Sequence, residues 1–136
     1  MPMTLELEQL YMPVKTELDA VRLEVDGLWR TMLQLVNGPD SVCPKSGGKL
    51  LRPALCLLSA GAAGGEDVSS YIPMAASMEL FHLAALTHDD VLDGAHIRRG
   101  VTSLNAMWND HAAILGGDYL VARGLSALVS YKECDA

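Results

Sequence analysis

Aromatic side chains are scarce in this sequence, with one Phe, two Trp and four Tyr among 136 residues. Sandwich and barrel folds fill their cores with aromatic and β-branched residues in strict alternation, and no such alternation appears. The plentiful Ala, Leu and Met favour helix instead, so the expected fold class is all-α. Cysteines are few. Cys43, Cys56 and Cys134 are odd in number and make no Cys-x-x-Cys pair, which argues against a disulfide framework or a zinc site and for a reducing, cytoplasmic location. No apolar run reaching the roughly 18–20 residues needed to span a membrane is evident, so no transmembrane segment is expected. The N-terminus also lacks a charged-then-apolar signal pattern. Cations are outnumbered 10 to 17, for a net charge of -7, which argues against a nucleic-acid partner.

Half of the residues are apolar, enough for one real core, and residues 1–136 read as a single domain. Leu10, Val14, Leu18, Val21, Val25, Leu28, Met32 and Leu35 recur at three- and four-residue steps, which predicts one amphipathic helix that tolerates Pro13 near its start. "NGPDSVCPKSGG" is a loop by composition. A helix over about 50–60 carries Pro53 in its first turn, and "GAAGGED" ends it. A further helix runs from about Ser69 to Asp93, then a loop over 94–102, a short helix, and a long helix over about 111–130.

Half of the ten cations, Lys45, Lys49, Arg52, Arg98 and Arg99, fall in two short segments. The second of them closes "LTHDDVLDGAHIRRG" (86–100), in which Asp89, Asp90 and Asp93 crowd one helix end. Like charges three and four residues apart repel by a few tenths of a kcal/mol, and carboxylates at a helix C-terminus cost roughly 0.3–1 kcal/mol each. A divalent cation removes both penalties, and oxygen-only ligands select Mg²⁺ or Ca²⁺ over zinc. The Ca²⁺ loop pattern is absent, and Mg²⁺ takes one or two carboxylates with water and phosphate completing its shell. Taken alone, the cluster reads equally well as a solvated, Asp-rich helix end.

The arginine pair beside it suits phosphate oxygens, since the planar guanidinium donates two parallel hydrogen bonds. "SGGKLLRP" offers glycines that allow close backbone approach, with Lys49 and Arg52 three apart on a first helical turn. It is not a P-loop, because Gly-x-x-x-x-Gly-Lys-Ser/Thr is missing. His82 lies two turns before Asp89 on the same stripe, roughly 10 Å along the axis, and can serve either the core or a second anion pocket. His88 and His96 have no stripe argument.

Together "GGKLLRP" (47–53), "ELFHLAALTHDDVLD" (79–93), "RRG" (98–100) and "GGDYLVARG" (116–124) resemble the trans-isoprenyl diphosphate synthase, or polyprenyl synthetase, family. The motifs are in the family's order and spacing and span about residues 40–130. Leu50 departs from the pattern, where many members carry a basic residue. The resemblance implies helices around a deep cavity, here the N-terminal half of the isoprenoid synthase helical bundle. It also implies Mg²⁺-aided condensation of an allylic diphosphate with isopentenyl diphosphate. By motif, Asp89 and Asp93 bind Mg²⁺, Asp90 supports them, and Arg98 holds the allylic diphosphate. Lys49, Arg52, His82 and Arg99 hold the isopentenyl diphosphate. Departing diphosphate needs cations at its oxygens, and the apolar wall keeps water from the allylic cation.

Down the helix from Asp89, the nearest residues on its face are Ala85, Phe81, Met78 and Met74. Ala84 and Ala85 stand where short-chain members carry bulky aromatics, and each further turn adds ~5.4 Å of depth. A product longer than farnesyl is expected, with Phe81 or Met78 as the floor. Family members are usually more than twice this length and carry a second Asp-rich motif that faces the first. Here only Glu133 and Asp135 come late. The chain is therefore expected to be half of such an enzyme, as a fragment, a truncated product or one piece of a split pair. It should turn over poorly alone and self-associate through exposed helix faces. Two other readings compete: a non-catalytic partner of a longer synthase, and a class I terpene cyclase, which would not need "GGKLLRP".

Overall fold

A computed structural model describes residues 3–38 and 46–131. Among the described residues the regular structure is helical except for one small hairpin. Its elements are α1 (Met3–Tyr11), α2 (Lys15–Asn37), α3 (Leu51–Ala62), α4 (Ile72–Leu92), β1 (Ile97–Arg98), β2 (Val101–Thr102), α5 (Leu104–Met107) and α6 (Asp110–Val129).

The first amphipathic run is two helices. Pro13 sits in a 3₁₀ turn, Met12–Val14, between α1 and α2, because its ring and missing N–H interrupt the helical ladder. Leu18, Val21, Val25 and Met32 of α2 are buried as their spacing requires, together with Leu33. Leu10 and Leu35 are 63% and 70% exposed. Leu10 is displaced by the break at Pro13, and Leu35 lies one helical step, about 100°, from Val36, which packs partly buried against the core.

A 3₁₀ turn, Val68–Tyr71, leads into α4, with the Asp67 side chain accepting from the Ser69 N–H. At its other end α4 stops as its sequence predicts. Gly94 has φ +62, and the Gly94 and Ala95 N–H groups bond back to the carbonyls of Val91 and Asp90. This pair of bonds is the Schellman arrangement, in which a left-handed glycine satisfies the last carbonyls.

The loop expected over 94–102 contains the two-residue strands β1 and β2, paired antiparallel as Ile97 with Thr102 and Arg98 with Val101. Strands this short carry no readable alternation. The turn residues Arg99 and Gly100 both have positive φ, 50° and 77°, as a two-residue hairpin turn matching the strand twist requires. Ser103 pins the hairpin's end, its hydroxyl donating to the Ala95 carbonyl at 2.7 Å.

The most extensive helix pair among the described residues is α4 with α6. It runs antiparallel, since His88 meets Gly117 while Phe81 meets Gly124. A Cβ on Gly124 would lie 2.6 Å from Phe81 Cε1, and the Ser77 hydroxyl donates to the Gly124 carbonyl at 3.0 Å. "GGDYLVARG" is thus a close-packing stripe. Contrary to the expectation that no run is long enough, α6 is long and apolar enough to cross a membrane by length and composition. Its aliphatic residues supply that apolarity: Leu120 is buried, while Ile114, Leu115, Leu125 and Val129 are exposed, and Gly117 and Gly124 face α4.

Candidate diphosphate site

The loop before α3 makes the first wall of a cleft. Gly47, Gly48 and Leu50 have φ values of 71°, 91° and 53°, so the backbone turns left-handed on both sides of Lys49. Leu50 carries this conformation without being glycine, at a cost of about 1–2 kcal/mol. Its side chain is 5% exposed, and that burial offsets the strain. The turn delivers the chain into α3 at Leu51, where no side chain caps the first N–H groups, which leaves them available to an anion.

The second wall is one face of α4, where Glu79, His82, Leu83, Leu86, Thr87 and Asp90 follow helical spacing. The hairpin closes the third side with Arg98, Arg99, Val101 and Thr102, and Trp29 of α2 contributes from behind. The enclosed volume is about 670 Å³. Six of the residues singled out by sequence therefore share one cleft: Lys49, Arg52, His82, Asp90, Arg98 and Arg99.

Asp90 faces inward at 5% exposure. Its Oδ1 accepts from Arg98 Nε at 2.7 Å and lies 2.6 Å from Arg98 Nη2. A guanidinium carries five N–H groups, so Arg98 is held in place while keeping donors for a ligand. Burial, and then the charges of Arg52, Arg99 and Arg98, push the His82 imidazole below its ordinary value. Burial pushes the Glu79 carboxyl up, against the pull of Arg52, Arg22 and Arg99. Arginines from α2, α3 and the hairpin thus converge around Glu79, in a chain that is acidic overall.

Over residues 34–136 the sequence matches the family model described as polyprenyl synthetase. The chain belongs to the polyprenyl synthetase family. Among its relatives, the all-trans-nonaprenyl-diphosphate synthase (geranyl-diphosphate specific) of Rhodobacter capsulatus is 45% identical over 62% of this chain and 26% of its own length. Component 2 of the heptaprenyl diphosphate synthase of Bacillus subtilis is 30% identical over 95% of this chain and 37% of its own length. A solved polyprenyl synthase of Caulobacter crescentus CB15, complexed with calcium and isoprenyl diphosphate, superposes with a TM-score of 0.75 at 26% identity. That match covers 90% of this chain and 37% of the other. The chain therefore spans well under half the length of these relatives.

Asp89 and Asp93 lie outside the cleft lining. Both are exposed, Asp89 in the last turn of α4 and Asp93 at its C-cap, and neither has an ion-pair partner among the described residues. Two free carboxylates one turn apart suit a Mg²⁺ ion that takes its remaining ligands from water and phosphate. Among the described residues no group of three or more His, Cys, Asp or Glu forms a closed metal centre. His88, without a role by stripe, packs against Gly117 and donates Nε2–H to the Ile114 carbonyl at 3.1 Å. It locks the end of α4 that carries the aspartates.

The residues expected to line the chain-length wall differ in exposure. Ala85 and Met78 are exposed on the same open side of α4 as Asp89, while Phe81 is half-buried against Gly124. Ala84, however, is 1% exposed. It faces the core rather than the open stripe, because one residue along a helix rotates the side chain by about 100°. Lys45, Cys43, Cys134, Glu133 and Asp135 lie outside the described residues. Sequence reasoning passed over Glu79, Arg22, Asp26 and Ser46. The one available signal was Glu79, a lone acid in an apolar helix, three residues before His82.

Proposed function

We propose that this chain supplies the diphosphate-binding wall of a trans-prenyltransferase, which condenses an allylic diphosphate with isopentenyl diphosphate to give a polyprenyl diphosphate. The observation that carries this reading is the convergence of Lys49, Arg52, His82 and Arg99, from the loop before α3, α3, α4 and the hairpin, on one cleft beside the Asp89–Asp93 helix end. In this reading those four residues hold the isopentenyl diphosphate, and Arg98, oriented by Asp90, holds the allylic diphosphate. Asp89 and Asp93 would hold Mg²⁺, whose charge offsets that of the departing diphosphate. The allylic C–O bond breaks with its electron pair leaving on the diphosphate. The isopentenyl double bond then attacks the allylic carbon, and loss of a proton from the adjacent carbon restores a double bond. The arginines lower the barrier by meeting charge where it grows on the leaving oxygens, and the apolar face of α4 excludes water from the cation.

A relative complexed with calcium and isoprenyl diphosphate supports both the cation and the ligand class. Relatives named for nonaprenyl and heptaprenyl products support a product longer than farnesyl, as does the small, exposed Ala85 below Asp89. A second polypeptide, either the other half of the enzyme or another copy, belongs to the same proposal. Its support is the row of exposed Ile114, Leu115, Leu125 and Val129 on α6 and a relative that is itself named a component. If this chain were instead a non-catalytic partner of a longer synthase, the cleft would have no ligand to bind. A cytoplasmic location belongs to the same proposal, supported by the absence of a Cys-x-x-Cys pair in the sequence, and cell fractionation checks it.

The test is incorporation of labelled isopentenyl diphosphate into geranyl diphosphate with Mg²⁺. Little product is expected from this chain alone, and turnover when a polypeptide carrying the second Asp-rich motif is added. Full turnover by the chain alone would contradict the need for a second acidic wall. Absence of product in every pairing would contradict prenyl transfer.

A further inference from the structure

Resting on that reading of the cleft, a second question is what shapes its loop. Residues 46–50 form no helix or strand, yet Gly47, Gly48 and Leu50 all hold positive φ. A backbone of this kind offers its N–H groups to an anion only if something fixes it from behind. Two helices do so here. Asp26 of α2 accepts a hydrogen bond from the Ser46 hydroxyl. Arg22, one turn earlier on the same helix, donates Nη2–H to the Gly48 carbonyl at 3.3 Å. From α4, the carboxylate of Glu79 lies under the loop, so that a Cβ on Gly48 would come within 3.4 Å of Glu79 Oε1. Glu79 is 4% exposed, and Arg22, Arg52 and Arg99 all act on its charge.

Arg22 and Asp26 do not line the cleft. Glu79 lines it, but a carboxylate repels a diphosphate, so its negative charge serves the arginines and the loop. We infer that Arg22, Asp26 and Glu79 form a clamp that holds the 46–50 loop in the backbone conformation receiving the diphosphate. They are positioning residues: Arg22 and Asp26 lie outside the cleft lining, and Glu79 lines it beneath the loop.

Calorimetric titration of the full chain with inorganic pyrophosphate tests the clamp. Removing a hydrogen bond to a charged group costs roughly 1.5 kcal/mol, or about tenfold in affinity. Asp26→Leu and Ser46→Ala are therefore each expected to weaken binding several-fold, at most about tenfold. The double variant should be no weaker than the worse single one, since both remove the same bond. Asp26→Asn keeps an acceptor for Ser46 and should bind like the wild type. Glu79→Gln keeps the volume and removes the charge. It is expected to weaken pyrophosphate binding even though it takes a negative charge out of the cleft, and tighter binding would overturn the role given to Glu79.

Unchanged affinity in Ser46→Ala, or losses that multiply in the double variant, would overturn the clamp. Should Asp26→Leu fail to fold, Ser46→Ala decides by itself. Arg52→Gln separates this inference from the reading beneath it. If Arg52→Gln weakens binding and Ser46→Ala does not, only the clamp falls. If neither weakens it, or the wild type does not bind, the anion site falls and the clamp with it.

Discussion

Gly117→Ala forces a side chain into the closest part of the α4–α6 contact. Its new Cβ would press on His88 Nε2 and lie 2.6 Å from Cδ2 and 3.1 Å from Cε1. The imidazole cannot swing away without giving up its bond to the Ile114 carbonyl. Overpacking of this kind costs about 1–3 kcal/mol, and the lost hydrogen bond adds about 1 kcal/mol. Replacing glycine by alanine inside a helix returns about 1 kcal/mol, leaving a net destabilisation of about 2 kcal/mol. Gly27→Ala is the matched comparison, in the middle of α2 and exposed, with nothing within 4 Å of the added Cβ. It should stabilise by about 1 kcal/mol. At roughly 3 °C per kcal/mol for a chain of this size, the melting temperature should fall by about 6 °C in the first variant and rise by about 3 °C in the second. Thermal unfolding followed by far-UV circular dichroism measures both. If Gly117→Ala melts at or above Gly27→Ala, the account of α4 held against α6 by absent side chains is wrong.

Arg98→Met would leave the buried Asp90 without its guanidinium, and urea denaturation should show a loss of about 1–3 kcal/mol; an unchanged midpoint would show that the pair does not form in solution. Because burial and three arginines hold the folded His82 imidazole below its ordinary value of about 6.5, the unfolded chain takes up the proton first as pH falls. His82 therefore withdraws stability as pH drops below about 6.5 toward its lower folded value. His82→Gln should flatten that part of a stability–pH curve, and an unaltered slope would contradict the burial of a neutral imidazole. In an active enzyme that contains this sequence, Ala85→Phe should shorten the product seen by chromatography, and the same product length would remove Ala85 from the chain path.

The helices were legible because their apolar spacing, Pro13, Pro53 and Gly94 are local signals that tertiary packing did not overrule. The break after Tyr11 was not, since an apolar stripe can pass through a proline without losing its period. Residues of the cleft could be picked out because diphosphate chemistry restricts them to a few residue types. Their pairing was hidden, however. Nothing in Asp89-Asp90-x-x-Asp93 says that the middle carboxylate turns inward to Arg98 while the outer two stay free. That division follows from the helix's angular step and from the hairpin that returns Arg98 to it. The left-handed backbone at Leu50 and Arg99 was equally hidden, because neither residue type advertises it. Arg22 and Asp26 reach the site only through contacts to Gly48 and Ser46, which lie 26 and 20 residues further along the chain, and Ser46, itself in the cleft lining, gives no sign in the sequence that it pairs with α2. Ala84, placed beside Ala85 by the family resemblance, is turned into the core by one helical step.

The central claim is that Lys49, Arg52, His82 and Arg99 form one diphosphate-binding surface. Its most direct measurement is calorimetric titration of isopentenyl diphosphate into the wild-type chain and into Arg52→Gln, with melting temperatures compared alongside. The account predicts saturable one-to-one binding, weakened about tenfold or more by the loss of one charged contact, with little change in melting temperature because Arg52 is exposed. No saturable binding by the wild type, or equal affinity in the two proteins, would contradict it.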